Sequence, residues 1–145
     1  MRKAILTSEG ISFPDEPTEI ISMVGSSVAV TIYDRVLKIG GVLHFLQPTW
    51  NGFGIKEIKF GDVGTEQLIK EFLKKGSNPE NLIANIVGGA VIGECGDDIP
   101  TGLKNVRSAK KILGDYDVAI DIIEVGKEKS RHVKFHSRTG VLTVN

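Results

Sequence analysis

The run Val24-Gly25-Ser26-Ser27-Val28-Ala29-Val30-Thr31-Ile32-Tyr33-Asp34 and its return Leu37-Lys38-Ile39-Gly40-Gly41-Val42-Leu43-His44-Phe45 decide the fold. β-Branched residues dominate the first run, and such side chains suit a pleated, half-buried surface. Strand side chains alternate between faces. Ser27, Ala29, Thr31 and Tyr33 therefore share one face of the first strand, and Gly40, Val42 and His44 share one face of the second. Paired as a hairpin through Asp34-Arg35-Val36, the two strands bring Ser27 and His44 to the same end. A hydroxyl beside an imidazole is the minimal arrangement for an activated nucleophile.

Working outward, Lys3 to Thr7 reads as a short strand. Phe13-Pro14-Asp15-Glu16-Pro17 reads as a loop, because each proline biases its predecessor away from helix. Glu19 to Val24 is a strand feeding the small-residue turn, with Ile20, Ile21 and Val24 suited to a core. After Phe45 comes Gln47-Pro48-Thr49-Trp50-Asn51-Gly52-Phe53-Gly54, whose glycines, proline and aromatics make a structured loop at the rim of any site containing His44. Trp50 is read either as a lid on the core or as a contact for substrate or partner.

Asp62 to Lys75 is the clearest helix. Asp62 is placed to cap it, Glu66 suits the first turn, and Leu68, Ile69, Phe72 and Leu73 form an inward stripe. Gly76 is a left-handed stop. Leu82 to Val87 is a buried strand ending in Gly88-Gly89, where close backbone approach or positive φ is expected; no phosphate-loop Gly-Lys-Ser/Thr follows. Thr101 is read as the cap of a second helix with Leu103, Val106, Ala109 and Leu113 facing inward and Gly114 stopping it. A strand over Asp117 to Glu124 and one carrying His132 and His136 complete the elements.

Composition narrows the function classes. The chain has 145 residues and 41% hydrophobic content, enough for one domain with a sizeable core; residues 1–145 read as a single domain. Lysine plus arginine is 18 and aspartate plus glutamate is 18. That balance suggests neither a nucleic-acid surface nor insertion into an anionic membrane. One cysteine excludes an internal disulfide and fits a reducing, cytoplasmic setting. No apolar run reaches the ~18 residues of a membrane span. The cluster Glu94-Cys95-Gly96-Asp97-Asp98 is read as an acidic solvated loop, since no second Cys or His accompanies it. His132 and His136, lacking a third ligand, are read as exposed strand histidines. No metal and no cofactor is implied.

Six motifs taken in order resemble one family. They are Gly25-Ser26-Ser27 opening a Val-rich strand, Gly40-Gly41-Val42-Leu43-His44, Phe60-Gly61-Asp62 opening a helix, Val87-Gly88-Gly89-Ala90, Gly102-Leu103-Lys104-Asn105-Val106, and Val133-Lys134-Phe135-His136 with Thr139-Gly140. The chain resembles the chemoreceptor glutamine deamidase family, CheD, of bacterial and archaeal chemotaxis. The resemblance implies an α+β fold, a β-sandwich-like core with flanking helices of the CheD-like cysteine-hydrolase type. It implies hydrolysis of glutamine side-chain amides on chemoreceptor helices, with His44 as the catalytic histidine and Ser26, Ile21 and Trp50 bordering the substrate. It also implies two partners, the cytoplasmic helices of chemoreceptors and a CheC-type phosphatase.

Two positions depart from the family pattern. Ser27 stands where the family carries its nucleophilic cysteine, and Ile21 stands where it carries a supporting threonine, with Ser22 next to it. A thiol of pKa about 8.5 leaves some thiolate at neutral pH, and a histidine lowers it further; a serine hydroxyl has almost none. No third group to orient His44 is identifiable in the sequence. The expectation is a deamidase fold whose activity is lost or weakened by Ser27. The alternatives are a non-catalytic binding module, and a hydrolase working through Ser27 and His44. A cysteine exchanged by design accounts for Ser27 but leaves Ile21 unexplained.

Overall fold

The hairpin forms as its alternation predicts. In the computed structural model, which describes residues 1–91, 93 and 98–145, β4 (Val28–Asp34) pairs antiparallel with β5 (Ile39–Phe45) from Val28 opposite Phe45 to Asp34 opposite Ile39. The turn is longer than Asp34-Arg35-Val36. Asp34 Oδ1 accepts from the Val36 and Leu37 amides, and Lys38 takes a φ of 56°. A short acidic side chain bonding its own following backbone is the mechanism of such turns.

The remaining elements are β1 (Arg2–Leu6), β2 (Gly10–Ser12), β3 (Thr18–Val24), α1 (Gly61–Lys74), β6 (Leu82–Gly88), α2 (Thr101–Asp115), β7 (Ala119–Val125), β8 (Arg131–His136) and β9 (Leu142–Val144). They form a four-stranded sheet in the order β1-β3-β8-β9 and a five-stranded sheet in the order β2-β5-β4-β6-β7. Alternation along β4 supplies both faces of the larger sheet. Val28, Val30 and Ile32 pack with Leu43, Phe45, Leu68, Ile69, Phe72, Val106, Ala109 and Leu113, the helix-side core. Ala29, Val42 and Val87 pack with Ile20, Val24, Val133 and Phe135 of the smaller sheet. The α+β architecture, a two-sheet core with helices on one side, is thus as the sequence predicts. Two short strands, β2 and β9, were not foreseen; each has three residues, too few to show a period.

Several local expectations are corrected. Asp62 does not occupy the cap position: Phe60 does, and Asp62 Oδ1 instead accepts from the Val63 and Trp50 amides, tying the preceding loop to α1. Leu73 is exposed while Leu68, Ile69 and Phe72 are buried, because Leu73 falls on the flank of that stripe. Pro100, not Thr101, holds the cap position of α2. The second helix runs through Gly114 to Asp115, and Asp117 with φ 57° makes the left-handed reversal. His132 and His136 lie on the outward face of β8, alternating with buried Arg131, Val133 and Phe135. Glu94, Cys95 and Asp97 of the acidic cluster lie outside the described residues. No described helix is long and apolar enough to cross a membrane.

Candidate active site

Ser27 sits in the bend between β3 and β4, and His44 is the penultimate residue of β5. The hairpin register sets His44 opposite Ala29, so its ring reaches along the sheet face toward the bend. His44 Nε2 lies 2.9 Å from Ser27 Oγ. His44 is 2% exposed, while Ser27 is half-buried and reachable from solvent.

The third group, not identifiable in the sequence, is Ser22. Its Oγ lies 2.9 Å from His44 Nδ1 and 3.0 Å from the Leu6 carbonyl. A serine hydroxyl has one proton, and a carbonyl can only accept. Ser22 therefore donates to Leu6 and accepts from His44 Nδ1–H, which leaves Nε2 unprotonated and facing Ser27. The order is Ser27 O–H to His44 Nε2, His44 Nδ1–H to Ser22 Oγ, and Ser22 O–H to Leu6 C=O. This is the tautomer a general base toward Ser27 requires. Burial lowers the His44 pKa below the ordinary histidine value, and the Leu6 carbonyl and the Glu9 carboxylate pull the other way. Burial thus favours the neutral ring, the form that can accept a proton.

Ile21 does not belong to this group. Alternation along β3 buries Ile20, Ser22 and Val24 toward the larger sheet and turns Ile21 and Met23 outward. The apolar residue at that position therefore removes nothing from the site, because its neighbour supplies the hydroxyl. Parity along Glu19–Val24 was the signal that could have found Ser22: it is two residues from both Ile20 and Val24, the core pair.

The bend itself is fixed by its carbonyls. Gly25 O accepts from the Ala90 amide at 2.9 Å and Ser27 O from the Gly89 amide at 2.9 Å. Ser26 O accepts from Asn105 Nδ2 at 2.9 Å. The described peptide planes are trans, so the Ser26 and Ser27 N–H groups point away from these partners. Gly88 and Gly89, with φ 116° and 62°, are required here. A Cβ on Gly88 would meet Ser27 O at 2.4 Å, and one on Gly89 would meet Gly102 O at 2.6 Å. Behind them, buried Arg131 pairs with Glu124 at 2.9 Å and reaches the Gly88 carbonyl at 3.4 Å.

Trp50 lies in the loop after β5. Its indole N–H donates to Phe53 O, and Lys56 Nζ sits 5.6 Å over its ring. It lines a cavity of about 180 Å³ with Asp62, Val63, Glu66 and Ile112, on the helix side of the molecule. Trp50 orders a loop whose tip presents Phe53 and Ile55, 82% and 78% exposed. Among the described residues no group of three or more His, Cys, Asp or Glu side chains is placed to hold a metal ion.

The family described as "CheD chemotactic sensory transduction" matches residues 47–145, beginning just after β5. A probable chemoreceptor glutamine deamidase of Trichlorobacter lovleyi is 31% identical over 98% of this chain and 89% of its own length. One from Methanosarcina acetivorans is 38% identical over 85% of this chain and 78% of its own. The chemoreceptor glutamine deamidase of Thermotoga maritima is 33% identical over 88% of this chain and 82% of its own. Among solved structures, the hypothetical protein YfiH of Bacillus licheniformis superimposes with a TM-score of 0.51 at 18% identity. That match covers 79% of this chain and about half, 49%, of YfiH, and it concerns the fold alone.

Proposed function

Because the chain belongs to the CheD family of chemotactic sensory transduction, we propose that it acts in chemotaxis adaptation as a slow, serine-based hydrolase of glutamine side-chain amides on chemoreceptors. The observation that carries this reading is the hydrogen-bonded series Ser27–His44–Ser22–Leu6. Ser27 Oγ attacks the amide carbon while His44 Nε2 takes its proton. The imidazolium formed, steadied through Nδ1–H by Ser22, returns that proton to the departing nitrogen, and ammonia leaves. Water, deprotonated by His44, then cleaves the ester to give glutamate and restore Ser27.

An oxygen nucleophile makes the first step slow. Serine depends on full proton transfer during attack, whereas a thiol is partly ionised beforehand. Ser22 is a neutral orienter, so it steadies the imidazolium less than a carboxylate does.

The substrate on this reading is the cytoplasmic helical region of a chemoreceptor, and the setting is the cytoplasm. The exposed Phe53–Ile55 tip, in the loop that follows the strand carrying His44, supplies a contact for that surface. Substitution of the family cysteine by Ser27 favours a second reading, a binding module that holds a receptor or a CheC-type phosphatase without chemistry. Incubation with receptor cytoplasmic fragments distinguishes them. Mass spectrometry is expected to show glutamine-to-glutamate conversion and ammonia release that Ser27→Ala abolishes. Saturable binding without conversion overturns the hydrolase in favour of the module.

A further inference from the structure

We propose that Asn105 is a positioning residue for the dyad, holding the Ser27 arm and the His44 arm in one geometry through a single amide group. Asn105 is fully buried on α2. Its Nδ2 donates to Ser26 O at 2.9 Å and to Leu46 O at 3.2 Å. Ser26 immediately precedes Ser27, and Leu46 lies two residues beyond His44. Both protons of the NH2 group are thus spent on the backbone beside the two reacting side chains.

Two further observations support this. Asn105 Oδ1 is buried with no hydrogen-bond partner among the described residues, so the side chain is stabilised on its donor side alone. The height of α2 is set by Gly102, whose Cβ position would lie 2.4 Å from Gly89 O and 2.5 Å from Ala90 O. Gly102 and Asn105 are three apart and so share a helix face. The close backbone contact at Gly102 delivers Asn105 to the bend one turn later. Fixing the Ser26 carbonyl also fixes the direction of the Ser27 N–H, a donor of the kind that stabilises a developing oxyanion at an attacked carbonyl.

The inference rests on the Ser27–His44 dyad proposed above, yet it is testable without a receptor. In a chain carrying Ser27→Cys, with Cys95→Ala removing the native thiol, iodoacetamide alkylation is followed against pH. With Asn105 in place the thiol is expected to titrate below the ordinary value of about 8.5, as a histidine-paired thiol does. Asn105→Ala is expected to return the titration toward that value and to cut alkylation at pH 6.5 about ten-fold, the factor of one pKa unit. A folded Asn105→Ala protein with an unchanged profile overturns the proposal. So does a thiol of ordinary pKa while Asn105 is present, since no paired geometry is then being held. Asn105→Ser, which keeps one donor, is expected to fall between the two and stands in if Asn105→Ala does not fold. If neither folds, Asn105 serves the fold and the proposal is lost. A shifted thiol with no deamidation of receptor fragments sinks the hydrolase reading while leaving this one standing.

Discussion

Ser22 accepts a hydrogen bond from His44 Nδ1 at 2.9 Å because its own proton is committed to Leu6 O at 3.0 Å. The strand β1 carbonyl therefore sets the tautomer of a histidine on the other sheet. Ser22→Ala is expected to leave Nδ1–H unpartnered in a buried position. A neutral hydrogen bond contributes about 1 kcal/mol net, so the amide hydrolysis rate should fall about five- to ten-fold. Nitrogen NMR of His44 should show the mixture of tautomers rising. An unchanged tautomer in Ser22→Ala would mean that another group orients the ring.

Acid should silence the site late. His44 must be neutral to accept the Ser27 proton, so the rate rises with pH through the His44 pKa. Burial sets that pKa below its ordinary value, which is about 6.5. The acidic limb of the pH–rate profile is therefore expected below pH ~6.5. Stability follows the same sign. The unfolded chain protonates His44 first, so a contribution present above about pH 6.5 declines as pH falls through the window between the unfolded and folded values. His44→Gln, which carries no titratable proton, should flatten that part of the stability curve. If the midpoint of the acidic limb lies above 6.5, His44 is not the base or is not desolvated.

At Gly102 the α2 backbone lies against the Gly89-Ala90 segment that follows β6. A methyl group there would press on the carbonyls of Gly89 and Ala90 at 2.4 and 2.5 Å, and backbone cannot step aside as a flexible side chain can. Gly102→Ala is expected to cost about 1–3 kcal/mol, the usual range for overpacking, and to displace Asn105 from the bend. Gly114→Ala has open space around its Cβ position and lies inside α2. It should stabilise by up to ~1 kcal/mol through helix propensity. Chemical denaturation of the two variants measures both signs; equal effects would remove the close-contact argument.

The hairpin, both long helices and the pairing of Ser27 with His44 were legible because each rests on a period. Two-fold alternation carried β4 and β5, and the recurrence of Leu68, Ile69 and Phe72 carried α1. Ser22 was not legible in the same way. Its partners, Leu6 and His44, come from strands 16 and 22 residues away, and nothing local marks them. Ile21 misled because the family threonine was matched by position, whereas strand parity decides which side chain faces inward. Asn105 was visible only as part of a motif. Its role depends on the Gly89–Gly102 contact, which is tertiary. The cap of α1 was misplaced for a related reason: Asp62 bonds a loop amide as well as its own helix, and local capping chemistry does not anticipate that competition.

Exchange of oxygen for sulfur at position 27 separates chemistry from architecture. His44 Nε2 already lies 2.9 Å from the Ser27 oxygen, and the bend is fixed by three carbonyl hydrogen bonds that do not involve the side chain. Ser27→Cys should therefore inherit the geometry. A thiol of pKa about 8.5 is a few per cent ionised at pH 7 before any help from histidine. Deamidation of receptor fragments is expected to rise at least about ten-fold, equal to ~1.4 kcal/mol in barrier. Ile21→Thr, on the outward face of β3, is expected to add nothing to either form. Ser22→Ala should lower the rate in both. If Ile21→Thr raises the rate further, position 21 reaches the site and the inward assignment of Ser22 is wrong. If Ser27→Cys stays folded, alkylates with a lowered thiol pKa and still converts no glutamine, the dyad is intact but the hydrolase reading falls, and binding through Phe53 and Ile55 is the next thing to measure.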